Sequence, residues 1–295
     1  MIAPRRSRSA NVTALIATAS AFLGVPASAV TPVASVPAFS HVVVVVFENK
    51  EVGKVFGSQS APNFNRLARR YATLGNYTAV SHPSLPNYLA MVSGSTQAVT
   101  SDCLNCQVDA PTIADSLEES GRSWKTYAEG IPSPGSTAKW SGHYAKKHNP
   151  LIYFRAVASQ PDRRNRIVPL SQLAADLAGG TLPDFSLVIP DECHDMHDCS
   201  VATGDSWLRG FVKPLLASRQ MANGVVFVVF DEGDSEAGGG GSIAAMALGR
   251  RVRPASASTA PINHYSLLRT IEDAWGLPRL GHSAEANPIT GIWSS

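Results

Sequence analysis

No stretch of this 295-residue sequence carries the run of lysine and arginine that nucleic-acid binding normally needs. The formal net charge is +2, and the cations are scattered apart from RRSR at 5–8, DRRNR at 162–166 and RRVR at 250–253. RRVR could also receive an anionic substrate, but nucleic acid is not an expected partner. Cysteine is scarce, with four residues in two local pairs. The CLNC stretch has no second matching pair nearby, which counts against a zinc knuckle. Two short disulfides, Cys103 with Cys106 and Cys193 with Cys199, are the expectation, and they fit an oxidising compartment. The early apolar run VTALIATASAFLGV is rich in Ala and Thr and shorter than the roughly 20 residues that a membrane span needs. There is no internal repeat.

That early run reads instead as the core of an export signal. Arg5, Arg6 and Arg8 precede it, and the small residues of ASA at 27–29 follow it. The expected organisation is a cleaved signal over 1–29, a linker rich in Pro, Ala and Ser over 30–39, and a single domain over 40–295. The product would be secreted or periplasmic, with no stable membrane span after cleavage. At 44% hydrophobic residues, the remainder suits one large globular unit.

HVVVVVFEN at 41–49 is a continuous β-branched run, the pattern of a strand buried on both faces. DFSLVIP at 184–190 and NGVVFVVFDEGD at 223–234 repeat that pattern, and SWKTYAE and IAAMALG read as further strands. Between them lie helical patterns at APNFNRLARRYA, at 84–93, at PTIADSLEESG, at GDSWLRGFVKPLLAS with Asp205 or Ser206 as cap, and at HYSLLRTIEDAWG. The segment 131–170 shows no clean period and reads as an insertion over one face of the sheet. GGGGS at 238–242 reads as a flexible loop. Alternating strands and helices predict an α/β fold with a mostly parallel central sheet and helices on both faces.

Ligands of such sheets bind beyond the C-terminal ends of the strands. Three strand ends carry polar clusters: Glu48 and Asn49, the loop from Asp191 to Asp198, and Asp231 with Glu232. Acids capping helices would account for each cluster singly and strain to account for all three. Together the oxygens of Glu48, Asn49, Asp231 and Glu232 would repel one another unless a cation sat between them. In AVSHPSLPNYLAMVSGS at 79–95, Ser84 opens a helix between two prolines. A serine there is ordinarily a cap; beside a cation it becomes a nucleophile, with helix N–H groups facing incoming negative charge.

HPSLPNYLAMVSG resembles the nucleophile motif of the alkaline phosphatase superfamily. In collinear order, HVVVVVFENK, HPSLPNY, CHDMHD, FDEGD and NHYSLLRTIEDAWGLP resemble the phosphoesterase family of bacterial secreted acid phosphatases and phospholipases C, over roughly residues 40–294. The resemblance implies an alkaline phosphatase-like fold and roles by position. Glu48, Asn49, Ser84, Asp231 and Glu232 would hold a metal, and Ser84 would be the nucleophile. Asn87 would bind a phosphoryl oxygen, and His197 or His264 would protonate the leaving group. His82, Lys147 and His148 are further substrate-binding candidates, with Asp195 and Asp198 in a second tier. Two-metal members carry an Asp-His pair where this chain has Asp231 and Glu232, so one divalent cation is implied. Its identity is not legible, and neither is the oligomeric state.

The implied activity is hydrolysis of small phosphate monoesters, including phosphoinositides, through a phosphoserine. Two alternatives remain open: phospholipase C cleavage at a phospholipid headgroup, and a non-catalytic exported protein that binds phosphate or glycan.

Overall fold

The computed structural model describes residues 1–4 and 36–294. The expected export signal and most of the linker lie outside the described residues. No helix among the described residues is long and apolar enough to cross a membrane. The described residues 36–294 form one compact unit.

The frame is an eight-stranded sheet. Its strands are β1 Val42–Phe47, β2 Ala72–Leu74, β3 Trp124–Ala128, β4 Ile167–Pro169, β5 Phe185–Ile189, β6 Val225–Phe230, β7 Ala245–Leu248 and β8 Ser256–Ser258. Their spatial order is β8-β2-β7-β6-β1-β5-β3-β4. Only β7 runs against its neighbours, so the sheet is mostly parallel. Every residue of β1 and β6 is buried. Because successive side chains point to opposite faces, both faces of the sheet centre must be covered, as the unbroken β-branched runs require.

Six longer helices supply the cover: α1 Pro62–Arg70, α2 Ser84–Ser93, α3 Ile113–Glu119, α4 Gln172–Gly179, α5 Val201–Ala217 and α6 His264–Trp275. α1 packs on α5, and α2 packs on α6 and α3. α2 and α6 end in left-handed glycines, Gly94 and Gly276, where a side chain would be strained.

Three local expectations need correction. α5 begins one turn earlier than its apolar pattern suggests, capped by Ser200. Asp205 is therefore inside that helix, and its carboxylate accepts from the backbone N–H groups of Asn63 and Phe64 at the start of α1. The segment 131–170 is not only an insertion, since its last residues form β4 and pair with β3. GGGGS is not free: a Cβ at Gly240 would lie 2.4 Å from the Ser81 carbonyl oxygen, so the glycines let this loop press on the chain that leads into Ser84.

Candidate active site

Strand register assembles the centre. Phe47 of β1 pairs with Phe230 of β6, so the next residues, Glu48 and Asp231, leave the sheet side by side. The Asp231 N–H donates to the Phe47 carbonyl, and the Glu48 N–H donates to the Asp195 carbonyl in the loop after β5. Beneath this rim Phe47 meets Phe64, Trp207 and Phe230 at centroid distances of 5.2, 5.8 and 5.4 Å. That apolar floor keeps water from the acids and fixes the strand ends.

Ser84 is the first residue of α2 and 1% exposed. Its Oγ lies 3.0 Å from Glu48 Oε2 and 3.3 Å from Glu232 Oε1, so its one proton serves two carboxylates in turn. Asn49 has φ 49°, a left-handed conformation that asparagine tolerates better than most residues. Its N–H donates to Asp231 Oδ1 over 3.0 Å. His148 is buried against Glu48 Oε1 at 3.3 Å and Asp195 Oδ2 at 3.4 Å, and its ring stacks on Tyr88. Three atoms of this centre are buried with no hydrogen-bond partner: Asp231 Oδ2, Asp195 Oδ2 and His148 Nε2.

The electrostatics follow from burial. Desolvation first, then the charges of Asp231 and Asp195, push the Glu48 carboxyl well above the carboxylate range. Burial raises Asp195 and Asp231 as well, and burial with the Asp231 charge pushes Glu232 up to about 7. Burial, with Lys147 and His197 nearby, holds His148 well below the usual imidazole value. A site this rich in buried oxygens favours added positive charge, and its donors suit a hard divalent cation.

At the outer edge, His82 Nδ1 bonds Glu232 Oε2 and Nε2 faces the Ser235 carbonyl at 3.1 Å. Burial pulls His82 down, but the Ser235 carbonyl and Glu232 outweigh it and the net shift is upward. Lys147 Nζ stands 3.2 Å from His197 Nε2, 3.5 Å from Asp102 and 3.8 Å from Glu192. The exposed Asp198 holds His197 Nδ1 at 2.7 Å. The loop bearing these groups is closed by the Cys193–Cys199 disulfide, and the Cys103–Cys106 disulfide follows Asp102. Both expected pairings are present.

Several sequence expectations change here. The Asn87 amide is spent on the backbone: its Oδ1 accepts from the N–H groups of Val80 and Ser81, and its Nδ2 donates to the Ser81 and Pro83 carbonyls. It braces the turn before Ser84, leaving no N–H for a phosphoryl oxygen. His264 is fully buried, with Nε2 on the Asp231 carbonyl at 2.6 Å and Nδ1 on the Tyr77 hydroxyl at 3.2 Å. Burial lowers it to about 4, so it is a neutral brace for Asp231 and not a proton donor. His148 sits among the acids in a ligand's position rather than at a substrate-facing edge. The Leu85 N–H at the helix start is taken by Asp102 Oδ1 at 2.9 Å, which removes one donor from an incoming anion.

Sequence reasoning missed Tyr88 and Asp102. The Tyr88 hydroxyl donates to Glu48 Oε1. Its spacing of four from Ser84 on one helix was an available signal, because such residues share a face. Nothing local announces Asp102. Outside this centre, Glu129, Asp191 and His194 form a second, half-buried group whose members bond one another.

Comparison with known proteins gives the family and the fold. The model of the Phosphoesterase family matches residues 54–278. The chain belongs to the Phosphoesterase family. Among relatives of this phosphoesterase, a phosphatidylinositol-3-phosphatase of Mycobacterium tuberculosis is 36% identical over 262 residues, covering 88% of this chain and 84% of that one. A probable acid phosphatase of Kluyveromyces lactis is 31% identical over 265 residues, covering 85% of this chain and 62% of its own length. A solved Vibrio parahaemolyticus protein in the alkaline phosphatase superfamily superposes with a TM-score of 0.58 at 15% identity, covering 87% of this phosphoesterase and 73% of that chain. The fold is that of the alkaline phosphatase superfamily.

Proposed function

We propose that this phosphoesterase is an exported, metal-dependent phosphomonoesterase that works through a phosphoserine at Ser84. The observation that carries the reading is the convergence of one buried hydroxyl, on the first residue of a helix, with Glu48 and Glu232 beside the unpartnered oxygens of Asp231 and Asp195. Glu48, Asn49, Ser84, Asp231 and Glu232 would hold one divalent cation, with Asp195 and His148 next to it. When bound, the cation supplies Lewis-acid stabilisation of phosphoryl charge and eases loss of the serine proton.

The chain's own groups account for the rest. Ser84 Oγ attacks phosphorus and passes its proton to Glu232 or Glu48, which already accept its hydrogen bond. His197, at the rim, is held by Asp198 through Nδ1; once the Lys147 ammonium that now faces Nε2 turns to neutralise phosphoryl charge, the Nε2 of a protonated His197 gives its proton to the departing alcohol. Water then attacks the phosphoserine and gives its proton to His197, while the protonated Glu232 or Glu48 returns the first proton to the departing Ser84 Oγ and inorganic phosphate is released. Asn87, His264 and Tyr88 hold Ser84, Asp231 and Glu48 in place.

The proposed substrates are small phosphate monoesters. The mycobacterial relative, a phosphatidylinositol-3-phosphatase, adds phosphoinositides to that class. The catalytic unit would be residues 40–295 after removal of 1–29, acting in the periplasm or outside the cell. Ser84→Ala is expected to lower turnover of p-nitrophenyl phosphate by on the order of 10³-fold or more, with an unchanged circular dichroism spectrum. Wild-type rates in that variant would remove Ser84 from the reaction.

A further inference from the structure

The cations that look scattered along the chain are segregated from the acids. Residues 52–101 contain Lys54, Arg66, Arg69 and Arg70 and no Asp or Glu. Residues 206–230 contain Arg209, Lys213 and Arg219, again with no acid, and residues 243–271 contain RRVR and Arg269 with none. The fold brings these stretches together. α1 and α5 lie side by side. Between them runs a groove of about 510 Å³ lined by Arg66 and Arg70 from one helix and Arg209 and Lys213 from the other, with Leu67 and Val212 among its walls. A second groove of about 400 Å³ shares Arg70, Tyr71 and Leu216 with the first and extends it to Arg250.

All five of these cations are exposed, and none forms an ion pair among the described residues. The residues outside the described set hold no Asp or Glu that could pair with them. Elsewhere the protein does pair its cations: Arg163 and Arg166 meet Asp115 and Glu118, and Arg122 meets Asp184. Asp205, the acid nearest the groove in sequence, is 2% exposed and turned onto the start of α1. The groove thus holds concentrated, uncompensated positive charge on a protein whose net charge is only +2.

We infer that this groove binds linear inorganic polyphosphate, an extended polyanion of repeated phosphate groups. Arg66 with Arg70, and Arg209 with Lys213, are each one helical turn apart, about 6 Å along the axis. Two such rails facing across a cleft match a linear chain of charges laid between them. A bilayer would meet only the rims of a cleft of this kind. Three of the four rail cations are arginines, whose planar fork pairs with phosphate oxygens. The groove is separate from the catalytic centre. α1 and α5 follow the strand ends that carry the centre and run back along the sheet, and Arg70 lies two residues before the start of β2. The polymer is therefore a docking partner rather than the substrate at Ser84, and the inference is independent of the proposed phosphatase reaction.

The test is titration of the full mature chain with long-chain inorganic polyphosphate over a series of salt concentrations. The Ser84→Ala background is used so that chain ends are not hydrolysed. Binding should weaken with salt, with a log–log slope of about −3 for four neutralised phosphates. The pair R66Q/R70Q and the pair R209Q/K213Q should each weaken binding at least about tenfold and reduce the slope by about 1.4. A control pair at other exposed arginines, R155Q/R279Q, should leave both unchanged. In the Ser84 chain, the groove variants should keep wild-type thermal midpoints and full p-nitrophenyl phosphate turnover. Absence of polyphosphate binding at low salt, or groove variants with unaltered slopes, would overturn the inference. So would binding to phosphatidylglycerol vesicles without binding to polyphosphate, which would make the face a membrane surface.

Discussion

Two sets of buried carboxylates in this phosphoesterase are built in opposite ways. Away from the candidate centre and its rim, three buried acids are matched by donors. Asp205 accepts from the Asn63 and Phe64 N–H groups and the Asn63 amide, and Asp176 from Lys125, Tyr127, Gln172 and Thr181. Glu272 accepts from the Leu280 N–H and the Ser283 hydroxyl. At the strand ends, Glu48, Asp195, Asp231 and Glu232 crowd together, and two of their oxygens have no donor. The first set ties loops to helices. The second is unsatisfied by the polypeptide alone, and only a positively charged ligand would complete it. A chain that satisfies the first set so fully has no packing reason to leave the second open.

The contrast can be broken most sharply at Asp231. Asp231→Asn should lower kcat/KM for p-nitrophenyl phosphate by on the order of 10³-fold, while the thermal midpoint of the chelator-treated protein stays level or rises because a repulsion is removed. Added divalent cation should stabilise the unmodified chain by about 2.7 kcal/mol at one hundred times its Kd and leave the variant unmoved. Asp205→Ala should do the reverse. It strands the donors at the start of α1 and should cost about 3 kcal/mol in denaturant unfolding, with activity per folded molecule retained.

Smaller effects sharpen the same contrast. Tyr88→Phe removes the hydroxyl on Glu48 and should weaken both cation affinity and kcat/KM by roughly 10-fold to 100-fold, as measured by metal titration and kinetics. A purely structural Tyr88 would shift the thermal midpoint and spare cation affinity. The smallest expected effect is in the pH dependence of stability. Glu232 is raised in the fold from 4.5 to about 7, so in the metal-free protein its contribution is fully present below pH 4.5 and is lost as pH rises through 7. Glu272, raised to about 6, acts in the same direction. Asp176 is lowered, so its contribution is present above pH 3.8 and is lost as pH falls through its folded value. His148 and His264, lowered by burial, act in the opposite direction below pH 6.5, so the test is a difference: the thermal midpoint of chelated Glu232→Gln, taken relative to the unmodified chain, should rise between pH 4.5 and 7. A flat difference would mean that Glu232 titrates as an ordinary surface acid.

Legibility in the sequence followed the range of the interactions. The runs at 42–47 and 225–230 announce doubly covered strands, because burial on both faces leaves no polar positions. β2 and β8, three residues each, carry too short a pattern to read alone. The positions of Glu48, Asp231 and Ser84 were legible as strand ends and a helix start, but the direction of a side chain was not. His264 and Asn87 sit in the motifs where functional groups were expected, and both turn toward backbone. His148 lies in a segment without periodicity, yet tertiary packing carries it between two acids. The cations of the α1–α5 groove are far apart in sequence, and only helix packing gathers them.

By itself, then, the sequence determined the parallel sheet, the order of its elements, the local disulfide pairs and the set of oxygen-bearing residues at the strand ends, since each depends on patterns within a few residues. Tertiary structure alone decided which of those groups face one another. Register placed Glu48 beside Asp231, and burial stripped the acids of water and left some oxygens without donors. Helix contact turned dispersed arginines into a basic groove. These outcomes depend on distances between residues remote in the chain, which no local pattern encodes.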